Sequence, residues 1–136
     1  MKLPILLLAD YANITSDGKL NVMGVFTDIN ATSYPARHPT MFLVLKFAPE
    51  LGELDQTKTL TVKLQDSDSQ PVLSLPLPFV IKQNELGKRP DSHYIIQLND
   101  TVFPKEGGYE FVILLDDEHM GEIAVNANLI PPETSG

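Results

Sequence analysis

Apolar side chains recur at every second position along most of this chain, and that period admits β-strands and little else. In "TLTVKLQD" (59–66), Leu60, Val62 and Leu64 point one way while Thr59, Thr61 and Lys63 point the other. This is the pattern of a sheet packed on one face and wet on the other. "VLSLPLPFVI" (72–81) repeats it, with Leu73, Leu75, Leu77, Phe79 and Ile81 inward and Pro76 and Pro78 outward. Proline has no N–H to give to a ladder, so this segment is predicted to be an edge strand. No window keeps a 3.6-residue repeat, which predicts no helix longer than about two turns.

The remaining segments follow the same rule. "LPILLLADYANIT" (3–15) and "KLNVMGVFTDINA" (19–31) are joined by "SDG", a hairpin signal with Asp-Gly at its tip. Both are apolar on both faces, which predicts strands in the middle of a sheet and more apolar surface than two packed layers require. Gly24 inside the second one points to a bulge or a close backbone approach. "TMFLVLKFAP" (40–49) follows a proline-punctuated connection, "SYPARHP" (33–39). "HYIIQLND" and "GYEFVILLDD" read as two strands joined by a short turn around "FPKEGG", and "EIAVNANLI" (122–130) closes the series. About eight strands separated by turn-rich segments predict an all-β fold, a single antiparallel β-sandwich of jelly-roll or immunoglobulin-like type. Its core is expected to contain Leu60, Val62, Leu73, Leu75, Phe79, Ile96, Phe111, Ile113, Ile123 and Val125. The length fits one domain over residues 1–130, with a polar tail at 131–136.

Three motifs in order, "LLADYANITSDGKLNVMGVFTDINA", "YPARHPTMFLVLKF" and "GGYEFVILLDDE", resemble those of an uncharacterised bacterial family of small single-domain proteins. The likeness spans nearly the whole chain: an Asp-Tyr-Ala strand end, Gly-Lys-Leu-x-Val-x-Gly, Pro-x-x-His-Pro, and a late Gly-Tyr strand. It implies an all-β sandwich and no known activity. Where such chains have an Asp-Gly turn in the middle, this one has "DSDSQ".

Composition removes several functions. With no cysteine, the chain has no disulfide, cysteine-ligated zinc or thiol chemistry. A net charge of −8 is the wrong sign for steering towards nucleic acid or anionic lipid. The start, "MKLPILLLADYA", has its short apolar run interrupted by Pro4 and ended by Asp10 without a cleavage site. It reads as a buried strand rather than an export signal or membrane span, so the expected location is cytoplasmic.

Chemistry-bearing residues are few and scattered. If every connection reverses the chain, the turns around Asp17, Glu50–Asp55, Asn84–Asp91 and Asp116–Met120 share one end. Tyr34–Pro39, Asp66–Gln70 and Phe103–Gly107 share the other. Asp66 and Asp68 resemble the opening of a calcium loop, but calcium takes six to eight oxygens and the later ligands are absent; a two-loop site would need Asp28 or Asp100 from the same end. Asp91, His93, Asp116, Asp117, Glu118 and His119 are expected along one rim, where imidazole and carboxylate suit zinc. Both clusters also have the composition of ordinary turns. His38, between prolines at the other end, completes the three histidines. No nucleophile elbow or phosphate loop occurs. The sequence therefore assigns no catalytic, cofactor or metal residue, and predicts a non-enzymatic interaction module that binds a protein partner or itself. The alternative is a calcium- or metal-dependent, lectin-like domain using the loop acids Asp66 and Asp68 or Asp116, Asp117 and His119.

Overall fold

A computed structural model describes residues 1–82 and 92–132. Among these, nine strands form: β1 (Lys2–Ile14), β2 (Leu20–Phe26), β3 (Asp28–Ala31), β4 (Ala36–Ala48), β5 (Lys58–Asp66), β6 (Pro71–Phe79), β7 (Ser92–Phe103), β8 (Gly107–Leu115) and β9 (Glu118–Leu129). The sole helical element described is a 3-10 turn, Leu51–Glu53. The strands make two sheets, one ordered β2-β1-β4-β7 and the other β3-β9-β8-β5-β6. The all-β sandwich predicted from the two-residue period is the fold observed.

Alternation builds the core. In β4, Met41, Leu43, Leu45 and Phe47 face the second sheet and are fully buried, meeting Leu60, Val62, Leu64, Phe111, Ile113 and Val125 from across the sandwich. Aromatic rings close both ends of this layer. Phe47 and Phe79 lie 4.7 Å apart between ring centroids, Phe79 and Tyr94 5.0 Å, and Phe103 and Tyr109 5.1 Å. Of the expected core residues, Leu60, Val62, Phe79, Phe111, Ile113 and Val125 are buried. Leu73, Leu75, Ile96 and Ile123 are half-buried and pack against that cluster. Leu73 and Leu75 stand on β6, the last strand of its sheet, so no neighbour covers their outer flank. Pro76 and Pro78 do mark an edge strand, as proline's missing donor requires.

Four expectations need correction. The segment 19–31 is two strands, because the chain leaves the first sheet at Thr27 and enters the second. There β3 pairs parallel with β9, Asp28 opposite Asn126 and Ala31 opposite Leu129. This is the one pair in the sandwich that is not antiparallel among those described. A second correction concerns β2, which lies at the edge of its sheet rather than in the middle; β1 alone of the first two strands is interior. The third is that β7 and β8 are not partners: β7 pairs with β4 and β8 with β5 and β9, so Pro104–Glu106 carries the chain between sheets. Finally, Ala36–Pro39 belongs to β4, and the connection before it is shorter than "SYPARHP"; it contains a cis Tyr34–Pro35 bond.

The extra reversal at Thr27 shifts the parity of everything before it. One end of the sandwich gathers Ala48, Leu51–Glu53, Lys58, Phe79 and Leu115–Glu118. There Glu53 accepts a hydrogen bond from the Met1 ammonium at 2.6 Å and from the Glu50 N–H at 2.9 Å, which together hold its carboxyl below the usual glutamate range. The other end gathers Ala36, Phe103, Asp66–Gln70 and, contrary to expectation, the Thr15–Lys19 hairpin holding Asp17.

Candidate functional site

Asp66 closes the β5–β6 hairpin through hydrogen bonds to its own turn. Its Oδ1 accepts from the N–H of Asp68 and of Gln70, both at 2.9 Å. Its backbone N–H donates to Gln70 O and its carbonyl accepts from Ser69 N–H, each at 3.0 Å. Such local bonding is why aspartate favours turns. The remaining oxygen, Oδ2, sits 3.8 Å from Lys105 Nζ. Lys105 lies in the crossing between β7 and β8, fixed by Tyr109, whose hydroxyl donates to Lys105 O at 2.6 Å and accepts from its N–H at 3.1 Å. Nearby, the Tyr34 hydroxyl donates to Asn128 O at 2.8 Å; burial, then the charges of Glu106 and Tyr109, push its pKa up. Asp28 accepts from the Asn128 amide at 3.2 Å. Asp100, in the left-handed region at φ 54°, lines a groove of about 520 Å³ between β6 and β7, whose lining does not include Asp66.

The second acidic cluster is also a turn. Asp116 and Asp117 both have positive φ, and they close the hairpin from β8 to β9. Asp116 Oδ1 accepts from Thr59 N–H at 2.8 Å, and its own N–H donates to Thr59 O at 2.9 Å. His119 Nε2 pairs with Glu122 at 3.7 Å, both side chains exposed. His93 belongs to the other sheet, opposite Lys46, so the expected rim does not assemble; the reason is the sheet crossing after β7. Asp91 lies outside the described residues. His38, in β4, touches the Phe26 ring at 5.7 Å between centroids. Among the described residues no three His, Asp or Glu side chains gather as a metal centre would need.

These contacts give distinct roles to the two aspartates of the β5–β6 turn. Asp66→Ala should cost about 1 to 3 kcal/mol, since two backbone donors lose a charged acceptor. Asp68→Ala, whose described contact is through its backbone, should stay within about 0.5 kcal/mol. Denaturant unfolding of both variants, with and without added calcium, checks this. A calcium-dependent rise in unfolding temperature that Asp66→Ala abolishes would instead assign the loop to an ion.

A further unusual feature is the outer face of the four-stranded sheet. Because Leu8, Leu43, Leu45, Tyr94 and Ile96 pack towards the core, their alternating neighbours face outward. Cross-strand registers then place Val25, Ala9 and Phe42 in one row, and Leu7, Val44 and Ile95 in the next. Met23 stands opposite Tyr11. The Tyr11 ring meets Phe42 edge-on at 5.4 Å. Tyr11 is 47%, Met23 64% and Val25 59% exposed, while Ala9 and Val44 beneath them are fully covered. The two-faced apolar character of segments 3–15 and 19–31 was the sequence signal for this patch. Which strand would lie at the edge had no such signal.

The family model of a family of unknown function, DUF6941, matches residues 4–128. No curated protein matches the chain. A solved structure, Pseudomonas fluorescens alkylpurine DNA glycosylase AlkC bound to DNA containing an abasic site analog, aligns with a TM-score of 0.49 at 10% identity. That alignment covers 93% of this chain and 30% of the other, a likeness too slight to bear on function. Among the described residues no helix is long and apolar enough to cross a membrane.

Proposed function

The chain belongs to DUF6941, a family of unknown function, and from that premise we propose that it is a non-catalytic interaction module. It binds a protein surface through the outer face and open edge of its four-stranded sheet. The observation that carries this reading is the contiguous apolar patch in which Tyr11, Met23 and Val25 stand exposed around covered Ala9 and Val44. Isolated exposed apolar side chains are ordinary, whereas a joined patch on a regular sheet face marks an association surface. Aromatic and methionine side chains are also the types enriched at such contacts. The net charge of −8 favours protein over nucleic acid as the thing bound.

The test is a comparison of wild type with a Tyr11→Lys/Val25→Lys variant, since both side chains project into solvent. The variant should unfold within about 1 kcal/mol of wild type, as surface substitutions do. Proteins retained by the tagged wild type from its host should be lost by the variant, and concentration-dependent growth in solution mass should be lost with them. Identical retention and identical mass behaviour would count against the face.

A further inference from the structure

We infer that the lateral groove between β6 and β7 takes an extended basic peptide, which adds a strand to the β7 edge and brings a Lys or Arg side chain to Asp100. This goes beyond the outer-face reading, whose Met23 and Val25 stand on β2 at the opposite edge of the same sheet. β6 and β7 each end a sheet, and they wall a common groove of about 520 Å³. That volume lies within the range of about 300 to 1,000 Å³ that ligand clefts occupy. β7 lines the groove with an unbroken stretch, residues 97–102. Alternate residues would line a sheet face, so an unbroken stretch means that the groove runs along the edge of the strand. At that edge every second residue turns its N–H and C=O away from β4, and among the described residues no other strand pairs with it. Across the groove β6 offers Leu73 and Leu75, both half-buried.

Asp100 selects the occupant. The buried residues in this half of β7 are Leu98, Thr101 and Phe103, so the inward set slips one position out of the two-residue period at Asp100, where φ is 54°. Leu98 and Thr101 therefore floor the groove, while Asn99 and Asp100 both stand exposed beside it. Asn99 is engaged within the sheet: its Oδ1 accepts from the Gln97 amide at 3.1 Å and from the Thr40 hydroxyl at 3.3 Å. Among the described residues nothing hydrogen-bonds or ion-pairs with the Asp100 carboxylate, and no Lys, Arg or His lines the groove. The site thus presents a free strand edge, an apolar wall and one uncompensated negative charge. A strand-adding peptide answers all three: its main chain meets the edge, its alternate apolar side chains meet Leu73, Leu75 and Leu98, and its cation meets Asp100. The net charge of −8 acts in the same direction, attracting a basic segment and repelling an acidic one.

The probe is a short fluorescent peptide alternating valine with lysine. It is compared with a valine–glutamate counterpart and with a form N-methylated at alternate residues, which has lost backbone donors. Anisotropy gives the affinity, and amide chemical shifts locate the contact. The valine–lysine peptide should bind and shift the amides of residues 97–102. The glutamate peptide should bind about tenfold more weakly through like-charge repulsion, and the N-methylated form about tenfold more weakly through lost main-chain bonds. Asp100→Asn removes the charge with a residue that also tolerates the left-handed conformation. It should leave unfolding unchanged and weaken binding about twofold to fivefold at low salt, the difference fading as salt rises. Tyr11→Lys/Val25→Lys should leave this binding intact, so the groove and the outer face stand or fall separately. Equal binding of the lysine and glutamate peptides, or no effect of Asp100→Asn, overturns the basic occupant. Equal binding of the N-methylated form overturns strand addition. No binding of any peptide, or shifts confined to Tyr11, Met23 and Val25, overturns the groove as the site.

Discussion

Phe111→Ala is expected to remove about 3 to 5 kcal/mol of stability, most of it from the cavity left behind. Phe111 stands fully buried at the centre of β8, opposite Leu64 on β5 and Ile123 on β9, so strands on both sides hold the backbone against collapse into the space. Phe79→Ala should fall in the same range of about 3 to 5 kcal/mol for a different reason. Phe79 joins the two sheets at one end, edge-on to Phe47 and tilted against Tyr94, so its loss opens the seam as well as the core. Denaturant midpoints at constant slope measure both effects. Losses below about 1 kcal/mol for both would mean that the inward and outward faces are exchanged, as a one-residue register slip would do.

Gly24→Ala should cost about 1 to 3 kcal/mol through two separable terms. Gly24 has φ of 71°, a conformation that a side chain resists. A Cβ built there would lie 2.5 Å from Asp10 Oδ2 and 3.1 Å from its Cβ, on the facing strand. The Asp10 carboxylate can swing away, but its Cβ cannot without moving β1. Asp10→Ala/Gly24→Ala should therefore recover the part due to the carboxylate and keep the backbone part. A double-mutant cycle in unfolding free energy separates the two. A neutral Gly24→Ala would contradict the left-handed conformation assigned to this residue.

Most of the layer structure was legible because alternation is a local property. Leu60, Val62 and Leu64 against Thr59, Thr61 and Lys63 declare their face without knowledge of any partner. Pro76 and Pro78 declare an edge because a missing donor is tolerated there. Partner choice is not local, and that is where the expectations failed. Nothing in "VFTDIN" signals that the chain changes sheets at Thr27, since the crossing has no glycine or proline and its reward is the distant strand β9. The same blindness paired β7 with β8, and so set His93 beside Asp116, although Pro104 to Glu106 crosses between sheets. The aspartate-rich turns could be read either way from composition, and hydrogen bonds to Asp66 Oδ1 and Asp116 Oδ1 supply what composition lacks. The apolar outer face was visible as two-faced segments near the N-terminus. Its limit at β2 was not, because edge position depends on the order of strands.

The central claim is that the face carrying Tyr11, Met23 and Val25 is covered when the protein is at work. Methionine oxidation by a diffusible oxidant reads this directly, because Met23 is 64% exposed while Met41 is fully buried in the core and serves as the internal reference. In dilute purified protein Met23 should oxidise readily and Met41 slowly. In intact host cells, or in concentrated protein, Met23 should be protected towards the rate of Met41. Oxidation of Met23 at the same rate in all three settings would show that nothing covers the face, and would contradict the account.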